Sequence, residues 1–216
     1  DFLIQHTLPH KHSELGASIA VGDVNNDGLD DIFIGGSAHK KGVFFLQNVR
    51  NQFIKKEFIE KDEEDIGILL VDVDNDKDLD LYCVSGSSEF TINYSRYQDR
   101  IYLNDGKGNF SLSKTNLPIT KSSGSCVTAC DFDKDGDLDL FRGGRIRGTE
   151  YPLIPESYLL LNNGKGNFKN IAPAYCQALS NTGMVTSALW TDYDHDNWTD
   201  LIVLLFIKIM QENRSH

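Results

Sequence analysis

The chain lacks the features that identify membrane-spanning and nucleic-acid-binding proteins. Its longest apolar run, LIVLLFIKIM at residues 201–210, is interrupted by Lys208 and is shorter than the roughly 18 to 20 apolar residues of a membrane-spanning helix. The formal net charge is -11, whereas proteins that bind phosphate backbones present a basic surface. We therefore expect neither a membrane span nor a nucleic-acid partner.

Cysteine is scarce, and its spacing identifies no site. The four cysteines form no CxxC pair and no zinc-binding spacing. We interpret Cys83, Cys126, Cys130 and Cys176 as small buried core residues rather than as a disulfide framework. This interpretation leaves the redox environment of the protein open.

Catalytic motifs are missing as well. The sequence has no GxSxG, no HExxH and no convincing Cys/His pairing. The GKGN elements at residues 106–109 and 164–167 lack the Lys-Ser/Thr ending and the following helix of a phosphate-binding loop. His10 and His12 lie near the N-terminus, and His195 lies where its side chain is expected to face solvent. We therefore expect a protein that is not an enzyme.

What the chain has in abundance is one acidic loop, which occurs four times. The copies read DVNNDGLDDIF from Asp23, DVDNDKDLDLY from Asp72, DFDKDGDLDLF from Asp131 and DYDHDNWTDLI from Asp192. Their starting residues are 49, 59 and 61 positions apart. We number residues 23–31, 72–80, 131–139 and 192–200 as loops 1 to 4, with positions 1 to 9 in each. Self-similarity at a nearly constant spacing is typical of repeat architectures.

Each loop places an oxygen-bearing side chain at positions 1, 3, 5 and 9. Alternate side chains of a tight turn can converge on one point, and the backbone carbonyl of position 7 can join them. Such a shell of hard oxygens suits Ca²⁺, which takes about six to eight of them. The predicted side-chain ligands are Asp23, Asn25, Asp27 and Asp31; Asp72, Asp74, Asp76 and Asp80; Asp131, Asp133, Asp135 and Asp139; and Asp192, Asp194, Asp196 and Asp200. The predicted carbonyl ligands belong to Leu29, Asp78, Asp137 and Trp198.

Position 6 of the loop is expected to need a positive φ angle. Gly28, Gly136 and Asn197 tolerate that conformation. Lys77 departs from the pattern, so we expect strain or a shifted geometry in loop 2.

Two other readings of the loops are open to test. An EF-hand would need a bidentate Glu at position 12 and helical flanks, but position 12 holds Ile34, Cys83, Arg142 and Val203, and the flanks are apolar and β-rich. Asp-rich surface turns without a metal would need no such spacing. Fifteen of the 32 acids occupy ligand positions, which leaves 17 against 21 basic residues, and four bound Ca²⁺ would bring the charge from -11 to -3. The charge balance therefore favours calcium sites.

The segments around the loops predict antiparallel strands. RIYLNDGKGNF (residues 100–110), SYLLLNNGKGNF (157–168) and a degraded version, VFFLQNVRNQF (43–53), place Asn-Gly turn signals between apolar runs. Four strands in about 50 to 60 residues form the blade of a β-propeller. We expect an all-β chain with four-stranded antiparallel blades, about three and a half of them, in repeats at approximately 14–60, 64–115, 123–172 and 184–216, the last incomplete.

The D-x-[DN]-x-D-G-x-x-D loops and the phrases AVGDVNNDGLDDIFIGG and YLNDGKGNF resemble FG-GAP/VCBS repeats, which build the integrin-α-type propeller. The order of the phrases is similar to that of bacterial relatives of the cartilage acidic protein family. The resemblance covers nearly all of residues 14–204. Proteins similar to that family often end in a separate ASPIC-type module, and no such module is visible in this sequence. It implies that the sixteen side chains above bind Ca²⁺ on one face of a propeller, which commonly has seven blades.

Because a seven-bladed ring is more than this chain contains, we expect a fragment of a larger propeller, with a closed four-bladed ring as the alternative. An open arc leaves unpaired sheet edges, for which the remainder of the propeller is an expected partner. Residues 1–9 are expected to form an outer strand of a blade completed elsewhere. The absence of a start Met and of a signal segment suggests a longer precursor, and LLFIKIMQENRSH at 204–216 suggests a truncated or altered end.

The face opposite the loops is the expected ligand surface. Connections at residues 85–99 and 142–157 concentrate Tyr and Arg, which binding sites favour. The residues are Tyr94, Arg96, Tyr97, Arg142, Arg145, Arg147 and Tyr151, and a protein or an acidic glycan is the expected partner. The same residues could instead be solvated or packed against one another.

Taken with the loops, these features predict a calcium-binding scaffold for protein or glycan interaction. Structural calcium sites of extracellular modules work at about 10⁻⁴ to 10⁻³ M, which favours an extracellular, periplasmic or cell-surface location. The alternative is a propeller fragment of a carbohydrate-active enzyme, such as a polysaccharide lyase. That enzyme would need a basic residue and carboxylates converging away from the loops.

Overall fold

A computed structural model of the chain describes residues 17–88, 94–114 and 116–206. These residues form an all-β structure of three four-stranded antiparallel sheets and one two-stranded sheet. The sheets contain β1–β4, β5–β8, β9–β12 and β13–β14, each in chain order from one edge to the other. None of the helices in the described segments is both long and apolar enough to cross a membrane.

The strands are short and regular. The first sheet contains β1 (Ile19–Gly22), β2 (Asp31–Ile34), β3 (Val43–Gln47) and β4 (Phe53–Glu57). The second contains β5 (Glu64–Val71), β6 (Asp80–Gly86), β7 (Arg100–Leu103) and β8 (Ser111–Ser113). The third contains β9 (Ser123–Cys130), β10 (Asp139–Ile146), β11 (Tyr158–Leu161) and β12 (Lys169–Asn170). The last contains β13 (Met184–Thr191) and β14 (Asp200–Phe206); a 3-10 helix spans Tyr94–Tyr97, and α1 (Ala172–Tyr175) and α2 (Gln177–Ser180) are single turns.

Each acidic loop closes the hairpin between the first two strands of its sheet in the same register. The residue before loop position 1 pairs with position 9, as in Gly22↔Asp31, Val71↔Asp80, Cys130↔Asp139 and Thr191↔Asp200. All four loops therefore lie at equivalent corners of their sheets.

The hydrophobic core lies between neighbouring sheets. On β6, Leu81 and Cys83 pack into a cluster with residues of the first sheet, whereas Tyr82 and Val84 pack into a cluster with residues of the third. This two-residue alternation is what a strand buried on both faces requires. At the first junction, the ring of Phe110 from the second sheet stacks on Phe44 of the first at 5.0 Å.

The sheets follow one another as the blades of a partial propeller. The first strand of each sheet contacts the first strand of the next, joining β1 to β5, β5 to β9 and β9 to β13. Within the described residues, no contact of similar extent joins β13 back to β1. The two ends expose apolar side chains, with Ile19 of β1 61% and Leu204 of β14 59% exposed. The arc is therefore open, and the alternative of a closed four-bladed ring is not what these residues form.

Three sequence-based interpretations concern the cysteines and the two ends of the chain. Only Cys83 of the four cysteines is buried; the others are half-buried, and none of the four forms a disulfide. The predicted outer strand at residues 1–9 lies outside the described residues, and so does most of the C-terminal segment that suggested an altered end.

One predicted loop boundary is wrong. The connection expected at residues 142–157 begins later, because β10 continues to Ile146 and pairs with β9 through irregular register at Gly143 and Gly144. Arg142 and Arg145 are thus strand residues, and both are buried. In a sequence, charged residues usually indicate a loop. A buried strand can nevertheless hold a charged residue when a buried partner neutralises it, as at Arg142.

The partner of Arg142 is Asp99, across the junction between the second and third sheets. Arg142 Nε lies 2.9 Å from Asp99 Oδ2, and neither side chain is accessible to solvent. The guanidinium also donates to the carbonyl of Ser122 at 2.6 Å, and Asp99 accepts from the hydroxyl of Tyr82 at 3.0 Å. Gly124 leaves room for this arrangement, since a Cβ there would stand 2.9 Å from Arg142 Cζ. The pair connects two blades in place of apolar packing.

Replacing Asp99 with Ala is expected to lower the free energy of unfolding by about 3–5 kcal/mol, because Arg142 keeps a buried, unmatched charge. The matched control is Glu150→Ala, which removes the half-exposed partner of Arg147 (2.8 Å) and should cost about 0–1 kcal/mol. Urea unfolding monitored by circular dichroism measures both. Equal effects of the two substitutions would show that the buried pair does not hold the junction together.

Candidate metal centres

The four loops share one backbone shape. Position 6 has the expected positive φ, with 82° at Gly28, 97° at Gly136 and 68° at Asn197. Lys77 adopts the same conformation with φ 76°, so the expectation of a shifted geometry in loop 2 is wrong. Strain is still expected there, since a left-handed conformation costs a residue with a Cβ roughly 1–2 kcal/mol.

Position 4 is a second left-handed position, which the sequence pattern did not reveal. Its φ angles are 58° at Asn26, 64° at Asn75, 64° at Lys134 and 62° at His195. His195 is exposed, as its place in the loop predicts. The only sequence signal was that Asn, which tolerates this conformation, stands there in two of the four copies.

The carboxylates of positions 1 and 5 organise the loop backbone. In loop 1, Asp23 accepts hydrogen bonds from the N–H groups of Asp27 at 3.1 Å and Gly28 at 2.7 Å. Asp27 in turn accepts from the N–H of Leu29 at 2.9 Å. The same bond from position 7 to position 5 recurs at 3.1 Å to Asp76, 2.9 Å to Asp135 and 2.7 Å to Asp196. Two predicted ligand positions, 5 and 7, are thus held in one arrangement in every loop.

Positions 1, 3 and 9 converge. In loops 2, 3 and 4, one carboxylate oxygen from each of these positions lies within 4.8 Å of the other two. The groups are Asp72, Asp74 and Asp80; Asp131, Asp133 and Asp139; and Asp192, Asp194 and Asp200. Loop 1 has the amide of Asn25 at position 3, and its Oδ1 accepts from the N–H of Asp27 at 3.0 Å. Three carboxylates at this separation repel one another unless protons or a cation neutralise them.

The position-9 carboxylate has a structural role that sequence reasoning missed. It is buried in the three complete sheets, at Asp31, Asp80 and Asp139. One of its oxygens accepts a 2.8 Å hydrogen bond from the backbone N–H at the end of the third strand or just after it, from Gln47, Asn104 and Asn162 respectively. The loop between the first two strands is therefore attached to the third strand through a ligand position.

Several oxygens in these clusters have no hydrogen-bond partner. They are Asp74 Oδ1 of loop 2 and Asp131 Oδ1 and Asp139 Oδ2 of loop 3, all inaccessible to solvent. Asp78 Oδ1, at position 7 and outside these clusters, also lacks a partner. Asp139 as a whole is 0% exposed. Buried carboxylate oxygens without a donor are costly, and a bound cation is the partner that a group of such oxygens fits.

Burial also changes the acidity of these groups. It raises the pKa of Asp80 to about 7 and the pKa of Asp139 to about 6. The pKa of Asp78 rises to about 6 through burial and the neighbouring Asp76 carboxylate. Without a cation, the negative charge of these carboxylates is thus disfavoured in the folded protein.

The predicted ligand face is only partly a surface. Tyr97, Arg142 and Arg145 are buried, so the expectation that they are exposed in loops is wrong. Arg96 is half-buried and its Nη1 lies 3.2 Å from His39 Nε2. Arg147 and Tyr151 are partly accessible, and the side chain of Tyr94 lies outside the described part of the chain.

A cleft of about 1070 Å³ lies beside the 3-10 helix on the same face. His39, Lys61, Gln98, Arg100 and Lys114 contribute to its walls, together with the exposed side chains of Leu112 and Ile119. Its residues come from β7, from β8 and from four separate connections of the first two sheets, and for that reason no sequence motif identified it.

Comparison with protein families relates the chain to a known repeat. A model of the FG-GAP-like repeat matches residues 23–83 and 72–141, which together span more than half of the chain. Loops 1, 2 and 3 all lie inside the matched residues. No curated protein matches the sequence.

The raised pKa values predict an unusual pH dependence for the calcium-free protein. A carboxyl whose pKa is higher in the folded state than in the unfolded state stabilises the fold below its unfolded pKa, and this contribution is lost as the pH rises through the folded pKa. For Asp80 the window runs from the ordinary value of 3.8 to about 7. The thermal midpoint in chelator should therefore fall between about pH 5 and about pH 7.5.

The matched measurement in saturating Ca²⁺ should show no such fall, because the cation takes the place of the protons. Thermal unfolding at three pH values with and without chelator decides the matter. A calcium-free midpoint that rises steadily over this range would contradict the assignment of buried, unmatched carboxylates.

Proposed function

Because the chain belongs to the FG-GAP-like repeat family, whose repeats form scaffolds, we propose that its loops bind Ca²⁺ and that the loaded blades present a surface to an extracellular partner. The observation that carries the proposal is the set of buried, unpartnered carboxylate oxygens in loops 2 and 3, including the fully buried Asp139. A cation held between positions 1, 3 and 9 would supply the partner that Asp74 Oδ1, Asp131 Oδ1 and Asp139 Oδ2 lack.

Calcium fits the ligand set better than magnesium does. Each loop offers up to four oxygen-bearing side chains and one carbonyl, all from the protein. Ca²⁺ accepts such flexible all-protein shells, whereas Mg²⁺ requires near-octahedral geometry and usually keeps several waters. The proposed ligand positions are 1, 3, 5, 7 and 9 in each loop.

The proposed role of the ion is structural. Position 1 directly follows the first strand, position 9 begins the second strand, and position 9 also accepts a hydrogen bond from the end of the third strand. One ion bound to these positions would therefore connect three strands of a blade. An ion enclosed by protein ligands has no open position for a substrate, unlike a catalytic metal. This supports a scaffold that is not an enzyme.

The face opposite the loops is the proposed partner surface. It has the cleft beside the 3-10 helix and the partly accessible Arg96 and Arg147, which suit a protein or an acidic glycan. We propose an extracellular, periplasmic or cell-surface location, because structural calcium sites of extracellular modules work at about 10⁻⁴ to 10⁻³ M.

A calcium titration tests the metal assignment. Isothermal titration of the metal-free chain should show up to four ions, and each loop should add about 2.7 kcal/mol of stability when calcium is at 100 times its Kd. Asp27→Ala, which removes the position-5 ligand of loop 1, should lower the stoichiometry by one.

Asp30→Ala is the matched control, because Asp30 is an exposed acid of the same loop at position 8, where no ligand is proposed. It should leave the stoichiometry unchanged. Absence of binding and of any thermal shift in the parent protein would refute the proposed function, and equal losses in the two variants would refute the proposed ligand positions.

A further inference from the structure

Two asparagines join neighbouring acidic loops across the blade junctions. Asn104 Nδ2 donates to the carbonyl of Val24 in loop 1 at 2.8 Å and to the carbonyl of Leu79 in loop 2 at 3.1 Å. Asn162 Nδ2 donates to the carbonyl of Val73 in loop 2 at 2.8 Å and to that of Leu138 in loop 3 at 3.1 Å. We call Asn104 and Asn162 the bridging asparagines.

The two bridges are the same device repeated. Each asparagine contacts position 2 of the preceding loop and position 8 of the loop in its own sheet. Each begins an Asn-Gly turn, in LNDG and LNNG, directly after β7 or β11. The repetition of both partners and both distances one blade apart makes a chance contact a poor explanation.

The orientation of the bridging amides is fully specified. The Oδ1 of Asn104 accepts from the N–H of Asp105 at 2.9 Å, and the Oδ1 of Asn162 accepts from the N–H of Asn163 at 2.8 Å. The backbone N–H of each asparagine donates to the position-9 carboxylate of its own loop at 2.8 Å. Each asparagine thus touches its own loop twice and the preceding loop once.

Side chains at position 4 reach across the same junctions in the opposite direction. Asn75 Nδ2 of loop 2 donates to Asp137 Oδ1 of loop 3 at 2.7 Å. Asn26 Nδ2 of loop 1 donates to the carbonyl of Gly106, in the turn that Asn104 begins, at 3.2 Å. Both junctions between complete sheets are therefore connected in each direction.

We propose that the bridging asparagines couple the loops, so that loops 1, 2 and 3 take up calcium cooperatively; this rests on the proposed function. Position 2 lies between the ligands at positions 1 and 3, and position 8 lies between those at 7 and 9. An ion that fixes these ligands also fixes the two carbonyls to which the amide donates. Once an ion in one loop has ordered the bridging asparagine, the ion that binds the second loop meets a smaller entropic cost of ordering.

The test removes one ion and measures the affinity of the others. Asp76→Ala disables loop 2 at position 5, where the side chain is exposed and its described hydrogen bond stays inside the loop. In the parent protein, titration with CaCl₂ should show a Hill coefficient above 1. Asp76→Ala should bind one ion fewer, and the half-saturating calcium concentration of loops 1 and 3 should rise at least threefold.

In a background of Asn104→Ala and Asn162→Ala, Asp76→Ala should still remove one ion. The half-saturating calcium concentration should then stay within about twofold of its value in that background without Asp76→Ala. Asn167→Ala is the matched control background, because its Nδ2 donates to Lys165 of its own turn at 3.1 Å. In that background the threefold rise should persist. A loss of stability alone would lower all affinities and would not abolish the difference made by Asp76→Ala.

Any other result contradicts a specific part of the proposal. If Asp76→Ala removes one ion and leaves the others unchanged in the parent, the coupling is wrong and the calcium sites stand. If the rise persists without the bridging asparagines, they do not carry the coupling. If the parent binds no calcium, the proposed function fails with the inference. Should the double Asn variant not fold, Asn162→Ala alone must leave loops 1 and 2 coupled and separate loop 3.

Discussion

The structure depends on a carboxylate placed where water cannot reach it. At position 9 of the first two sheets, an aspartate accepts hydrogen bonds from backbone N–H groups of two different segments. Asp80 accepts from Val73 of its own loop at 3.1 Å and from Asn104 after the third strand at 2.8 Å. These hydrogen bonds fix the corner of the blade, and the ionised carboxylate places a negative charge in the interior. Every neighbouring carboxylate then adds to an unfavourable potential that the described protein atoms do not neutralise. The proposed calcium is the physical answer to that constraint.

Buried charges that need a partner also occur at the blade junctions. Apolar side chains fill the space between sheets, but Arg142 and Asp99 cross the second junction as a fully buried pair. Within the second sheet, Arg100 and Asp65 form a second buried pair at 2.7 Å, and Asp65 reaches across the first junction to accept a 2.8 Å hydrogen bond from the N–H of Gly36. A buried pair of this kind adds little net stability, but a wrongly docked blade would leave its charges unmatched. The bridging asparagines add a polar connection at the loop edge, so each junction is specified at both ends.

Sequence reasoning recovered the repeat, the hairpin position of the loops and three of the four side-chain positions predicted to converge in loops 2 to 4, namely 1, 3 and 9, because ligand spacing is a local property of the chain. It also placed the left-handed residue at position 6, since Gly and Asn mark that conformation. It missed position 4, where Lys134 and His195 conceal the same backbone. It misassigned Arg142, because an arginine buried by a partner 43 residues away looks in sequence like a surface arginine. It misassigned Arg145 for a similar reason, since the Nη1 of that residue lies 3.5 Å from the carbonyl of Val185, 40 residues away. The bridging role of Asn104 was equally invisible: its partner Val24 is 80 residues distant, and the local pattern indicated only a turn.

The most direct test of the account is the position of the ions themselves. Crystals of the chain grown in calcium, measured at a long wavelength, would give an anomalous difference map in which calcium is visible against protein oxygen. The account predicts peaks inside loops 2 and 3, and in loops 1 and 4, each surrounded by the oxygens of positions 1, 3, 5, 7 and 9 at about 2.3–2.6 Å. Ordered loops without peaks, with Asp139 Oδ2 still lacking a partner, would contradict it and would leave the crowded carboxylates unexplained.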